Sequence, residues 1–196
     1  MIILISGKQG SGKTTVTGNL TAALQAKGYE VTPVKFAGPL YAMHDAVLKV
    51  LAFYGVTRNI VKDGPLLQML GTDWGRKTIA DDIWVQLAKN RVKDILTTAT
   101  NPNQAVIIDD CRFENEFDAF PDAYKVRLDC PRDIRKTRCE AWRTDEMHLS
   151  ETGLDNYAEL GKFDAYFQSE NLTSKDIADV LIRAIDVNTN KEATQP

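Results

Sequence analysis

The chain has only three cysteines and two histidines in 196 residues. Cys111, Cys130 and Cys139 are odd in number and lack the paired spacing of a zinc site, so neither a disulfide framework nor a structural metal centre is expected. Reduced thiols in a cytoplasmic protein are the reading that follows. No apolar run approaches the ~20 residues of a membrane span, and the start lacks the basic region of an export signal. Neither sign of charge dominates: 24 Lys and Arg stand against 27 Asp and Glu, a net charge of −3. The chain therefore has no global field to attract nucleic acid or an anionic membrane, and any anion site must be local. Internal repeats and a domain-splitting linker are also missing. A hydrophobic content of 43% and a charged content of 26% suit one ordinary globular domain, expected over residues 1–187 with a polar tail over 188–196.

What the chain does have comes at once. Ile2-Ile3-Leu4-Ile5 reads as a buried strand, and Gly7, Gly12, Lys13 and Thr14 follow in the spacing G-x-x-x-x-G-K-T. This is a phosphate-binding P-loop between a strand and a helical pattern. Gly7, Gly10 and Gly12 permit the turns that aim backbone N–H groups inward, with Gln9 and Ser11 between them. Lys13 supplies a cation for the β- and γ-phosphates, the Thr14 hydroxyl can ligate Mg²⁺, and Thr15 continues the cradle into the helix. ATP and Mg²⁺ are the cofactors this implies.

Strand-like and amphipathic runs then alternate. Helices are expected over 13–27, closed by Gly28, over 39–54 with Leu40, Met43, Val47, Leu48 and Leu51 as the apolar stripe, and over about 81–98. Residues 55–78 read as irregular. Strands are expected over 31–36, 105–108, 124–128 and 163–167, a basic helix over 131–143, a polar, loop-like stretch over 144–161 with room for one short helix, and a last helix capped by Thr173 or Ser174. The pattern predicts an α/β three-layer sandwich in which five parallel strands carry ligands at their carboxyl ends.

Val106 to Asp110 resembles a Walker B strand, whose terminal carboxylate holds Mg²⁺; alternation puts Asp109 and Asp110 on opposite sides without choosing between them. Arg112 stands where a second phosphate would lie, or else pairs with Glu114 or Glu116. Arg132, Arg135 and Arg138 fall within an arc of roughly 120° on a helix. They are read as transition-state cations on a lid over about 131–150, with Arg143 further on; the plain alternative is a basic surface helix. In Gly71-Thr72-Asp73-Trp74-Gly75-Arg76, the Trp and the Arg could frame a base and a phosphate, with Asp81 and Trp84 close behind; for Trp74 and Trp84 the alternative is core packing.

Taken together, GKQGSGKT, LLQMLGTDWGRK (66–77), D-x-W-V (82–85), IIDDCRFENE (107–116), the arginine row and HLSE (148–151) resemble the deoxynucleoside monophosphate kinases of tailed bacteriophages. The resemblance implies a nucleoside monophosphate kinase fold, ATP and Mg²⁺ as donor, and a 2′-deoxynucleoside monophosphate as acceptor. It implies Lys13 and Thr14 at the donor phosphates, Arg76 and Arg112 at the acceptor phosphate, and Arg132, Arg135 and Arg138 on the lid. An acceptor-binding segment over about 37–100 would begin near Phe36 and Leu40, with Thr72, Trp74, Asp81, Trp84 and Glu116 completing it. Trp74, Tyr41 and Phe36 are the candidates for crowding a ribose 2′ position. A homodimer in the cytoplasm, that of the host if the chain is phage-encoded, fits the same family. Two other readings stand beside it: a different small-molecule P-loop kinase, and a regulatory or nucleic-acid-associated NTPase.

Overall fold

Apolar residues on both faces of a strand require cover on both sides, and the chain provides it. The computed structural model describes residues 1–56, 63–139, 142 and 149–192. Strands β1 (Ile2–Ser6), β2 (Glu30–Val34), β3 (Gln104–Cys111), β4 (Tyr124–Asp129) and β5 (Ala165–Gln168) form one sheet in the order β2-β3-β1-β4-β5. Every pairing is parallel. Alternation divides the strands cleanly. Ile3, Ile5, Ala105, Ile107, Val126 and Leu128 face one layer, made by Val16, Leu20 and Leu24 of α1 (Lys13–Ala26) and by Ile177, Leu181 and Ile185 of α9 (Ser174–Glu192). Leu4, Val34, Val106 and Ile108 face the other, where Val85, Ala88, Val92 and Ile95 of α4 (Ile83–Thr98) pack with Phe117 of α5 (Glu114–Asp118) and Tyr157 of α8 (Asp155–Glu159).

The connection from β1 runs through α1 to β2, beyond β3, whereas β3 leads back past β1 to β4. The chain thus parts around the carboxyl end of β1, where an open parallel sheet leaves its ligand crevice.

The five-stranded α/β sandwich is the one the pattern predicts, and several elements differ in extent. Residues 64–79 are helical throughout: α3 (Gly64–Gln68) passes into a π-helix (Met69–Ile79) where an irregular stretch is expected. Trp84 explains it: its Nε1–H donates to the Gly71 carbonyl at 2.9 Å. A Cβ on Gly75 would lie 2.6 Å from the same indole, so the two glycines form the seat of a buried ring. The expected stripe of α2 (Gly38–Phe53) is also not a core face. Its one buried residue is His44, while Val47, Val50, Leu51 and Phe53 are exposed. The basic helix is short, α6 (Arg132–Thr137), with Arg138 as its C-cap. A small helix, α7 (Leu149–Thr152), precedes α8. Arg143 and His148 lie outside the described residues, as does much of the expected lid, and α9 continues through Glu192 into the expected polar tail.

Candidate active site

The loop between β1 and α1 is shaped by contacts that exclude side chains. A Cβ on Gly7 would meet the Leu128 carbonyl oxygen at 2.4 Å, and one on Gly10 the Arg135 carbonyl oxygen at 2.6 Å. Gly10 also holds φ +77°, in the left-handed region. Gly12 is the N-cap of α1 and offers no side-chain acceptor, so the first N–H groups of the 14-residue helix are left to a ligand. The Ser11 hydroxyl is buried without a hydrogen-bond partner among the described residues, while its carbonyl accepts from Ser169 Oγ at 2.9 Å. Thr14 and Thr15 are exposed on the first turn.

Lys13 folds over this loop and donates to the Gly7 and Lys8 carbonyls at 2.6 and 3.0 Å. Burial pulls its ammonium down to about 7; Arg112 pushes the same way, and Glu151 and Asp109 partly oppose it. A lysine so placed is poised to be recharged by an incoming polyanion.

At the end of β3 the two carboxylates separate. Asp110 accepts from the backbone N–H groups of Phe36 and Ala37, both at 3.0 Å, and fastens the turn between β2 and α2. Burial raises its carboxyl above the usual range despite these donors. Asp109 lies on the α1 side, pairs with Lys35 at 3.0 Å, and is the carboxylate of the two that acts on Lys13. The Arg112 guanidinium pairs with neither Glu114 nor Glu116; its Nη1 donates to Glu151 Oε1 at 3.1 Å and to the Ser150 carbonyl at 3.2 Å.

The arginine row splits by environment. Arg135 is buried, donating from Nε to the Cys130 carbonyl and from Nη1 to the Gln9 carbonyl of the P-loop, and it lies over the Trp142 ring. Arg138 reaches Cys130 Sγ and the Ser169 carbonyl. Arg132 is exposed. Arg135 therefore braces the loop's backbone, while Arg138 ties the end of α6 to Ser169, whose hydroxyl bonds the Ser11 carbonyl.

On the far side of Arg112, Glu116 is buried and accepts from the backbone N–H groups of Arg112 (2.7 Å) and Phe113 (3.2 Å). Burial pushes its carboxyl up to about 7, against those donors and Arg76. Arg76 comes from the π-helix, stands 4.0 Å from Glu116 and stacks over Phe113. Glu116 thus links Arg76 to the segment that carries Arg112. Thr72 accepts from Gln68, Trp74 and Asp81 are exposed, and Leu40 packs toward Gly71. The side chains of Phe36 and Trp84 are both buried in packing, Phe36 against Phe120 and Trp84 against the glycines of the π-helix.

Several charged residues were not visible as site residues in the sequence. Arg127 is buried on β4, donates to Ser6 and to Asp155 at 2.7 Å, and leaves its Nε without a partner among the described residues. Asp155 also pairs with Lys8 at 2.7 Å, and Glu151 accepts the Gln9 N–H at 2.8 Å. Alternation within YKVRLD gives the one available signal, placing Lys125 and Arg127 together on one face.

The glycine cradle, the unpartnered Ser11 hydroxyl and the uncapped helix fit a nucleotide phosphate chain. Among the described residues no group of three His, Cys, Asp or Glu side chains could hold a metal ion. Thr14 and Asp109 are the residues with oxygen donors that would hold a Mg²⁺, which would supply charge for polarising the phosphates. No helix of the described residues is long and apolar enough to cross a membrane.

Comparisons with known proteins agree with this architecture. The fold matches shikimate kinase from Aquifex aeolicus (TM-score 0.51, 16% identity, covering 96% of this chain and 98% of that one). It matches shikimate kinase from Acinetobacter baumannii in complex with shikimate (0.51, 12%, 95% and 93%). It also matches the Thermus thermophilus protein TT1252 (0.59, 17%, 96% and 97%). No curated protein matches the sequence. The family model described as AAA domain matches residues 3–159. With the P-loop and most of its length inside that match, the chain belongs to the AAA domain family and, by its sheet order and fold matches, has a P-loop kinase fold.

Proposed function

We propose that the protein transfers the γ-phosphoryl group of ATP to a 2′-deoxynucleoside 5′-monophosphate. The observation that carries this reading is the pair of arginines beyond the P-loop: Arg76 and the Arg112 segment meet at Glu116, and Arg112 acts electrostatically on Lys13. Two cationic groups from different elements suit a second phosphate next to the one being transferred. Phosphoryl transfer asks little covalent work of a protein; it needs two polyanions held in line with their repulsion neutralised. Gly7, Gln9, Gly10, Ser11, Gly12 and Thr15 contribute backbone to the donor phosphates, Lys13 their counter-charge, and Thr14 with Asp109 hold Mg²⁺, which polarises the phosphates when bound. Asp110 acts through the turn it fastens. Arg112 and Arg76 take the acceptor phosphate, with Arg132, Arg135 and Arg138 near the donor. Leu40, Thr72, Trp74 and Asp81 border the acceptor side. The protein acts in the cytoplasm, and the exposed apolar face of α2 is the surface available to a second copy in a homodimer.

Arg76→Ala tests the acceptor site. Steady-state kinetics should show the acceptor KM raised tens of fold, about 2 kcal/mol or more, with the KM for ATP unchanged. An unchanged acceptor KM would remove Arg76 from the site. A second reading, phosphorylation of a small carboxylic acid, is favoured by the fold it shares with shikimate kinases, since an arginine fork binds carboxylate as it binds phosphate. A nucleic-acid-associated NTPase is disfavoured by the net charge of −3.

A further inference from the structure

The P-loop already holds an anion of the protein's own. Glu151 Oε2 accepts the Gln9 backbone N–H at 2.8 Å, and its Oε1 accepts from Arg112 at 3.1 Å. Its negative charge also acts on Lys13. A loop N–H, the P-loop lysine and the arginine at the end of β3 are the groups a bound phosphate would engage. A carboxylate 142 residues away in sequence from Gln9 now sits among them. It is well placed to stay: only 9% of the Glu151 side chain is exposed. The next helix secures the same flank, because Asp155 bridges Lys8 and Arg127, both at 2.7 Å.

We propose that Glu151 is an internal ligand of the phosphate cradle, which the nucleotide donor displaces, and that its displacement frees Arg112 for the acceptor. The second half rests on the reading of Arg112 given above; the first needs only the P-loop. Two anions cannot share the Gln9 N–H, so a phosphate oxygen takes the bond as the carboxylate leaves. Arg112 then loses its carboxylate partner and carries a positive charge available to a second anion. Glu151 acts through these groups and is a positioning residue. It lowers the affinity of the empty site for any phosphate chain, and it makes donor and acceptor binding mutually favourable, since coupling between two sites is reciprocal.

The test is calorimetric titration of inorganic pyrophosphate and of ADP into the wild type, Glu151→Gln and Glu151→Ala, with thermal unfolding of each sample as a check on folding. Both variants should bind pyrophosphate about 5- to 50-fold more tightly than the wild type. A Kd unchanged or weakened in whichever variants unfold cooperatively would overturn the proposal and leave Glu151 a structural ion pair. In a second arm, dTMP is titrated with and without a non-hydrolysable ATP analogue. The analogue should tighten dTMP binding to the wild type and do so less in Glu151→Gln; equal enhancement in both would overturn the coupling. Absence of dTMP binding to any form would count against the monophosphate acceptor, while the pyrophosphate result would still decide the role of Glu151.

Discussion

Lys13 and Glu116 titrate near neutrality for the same reason, burial, and with opposite consequences. The Lys13 ammonium, pulled down to about 7, is partly neutral above that pH in the ligand-free protein and must regain its proton beside phosphate. Nucleotide binding should therefore take up close to one proton, and ADP affinity should fall by up to about tenfold per pH unit between roughly pH 7.5 and 9. Titrations in buffers of different ionisation enthalpy measure both; a proton-neutral, pH-independent affinity over that range would contradict the placement. Glu116, pushed up to about 7, holds a proton in the folded protein that the unfolded chain releases near 4.5. Its contribution to stability is present below pH 4.5 and is lost as pH rises through 7. Glu116→Gln keeps an oxygen for the N–H groups of Arg112 and Phe113 but cannot ionise. The variant should gain about 1–3 kcal/mol over the wild type at pH 8 relative to pH 4, read from urea unfolding.

At the scale of elements, the π-helix shows how a motif can be seen and misread. Gly71 and Gly75 look like loop punctuation in sequence, because glycine is costly inside a helix. Here Gly75 is needed because the Trp84 ring occupies the space its side chain would fill, while a Cβ on Gly71 would meet Leu40 at 3.1 Å. Gly75→Ala puts a methyl group 2.6 Å from Trp84 and 2.9 Å from the Leu70 carbonyl, and should destabilise the protein by about 1–3 kcal/mol in chemical unfolding. Since Arg76 adjoins this position, a loss of stability should come with a raised acceptor KM. The stripe of α2 is another kind of miss: amphipathic spacing marks an apolar face but cannot say whether the same chain covers it.

Across the whole molecule, the parts legible in sequence are those coded by neighbours. The apolar runs ending at Ser6 and Cys111 read as buried strands because strand cores here are local and continuous, and the P-loop is eight consecutive residues from Gly7 to Thr14. The ring of charge around that loop was hidden because its members are far apart in the chain: Glu151 on Gln9, Asp155 on Lys8, Arg127 on Ser6. Their meeting is set by the sheet order, which brings β4 beside β1, and by α7 and α8, which carry Glu151 and Asp155 to the loop. Arg127 also defied its pattern, since a cation alternating with Val126 and Leu128 reads as solvent-facing, yet β4 is covered on both sides.

Phosphoryl transfer to a nucleoside monophosphate is tested most directly by one coupled assay, with Mg²⁺ and ATP offered against dTMP, dGMP, dCMP, dAMP, their ribonucleotide counterparts and shikimate. Turnover of at least one deoxynucleoside monophosphate is expected, with kcat/KM lowered on the order of 100-fold or more in Lys13→Met. Turnover of shikimate alone, or of no monophosphate at all, would contradict the assignment.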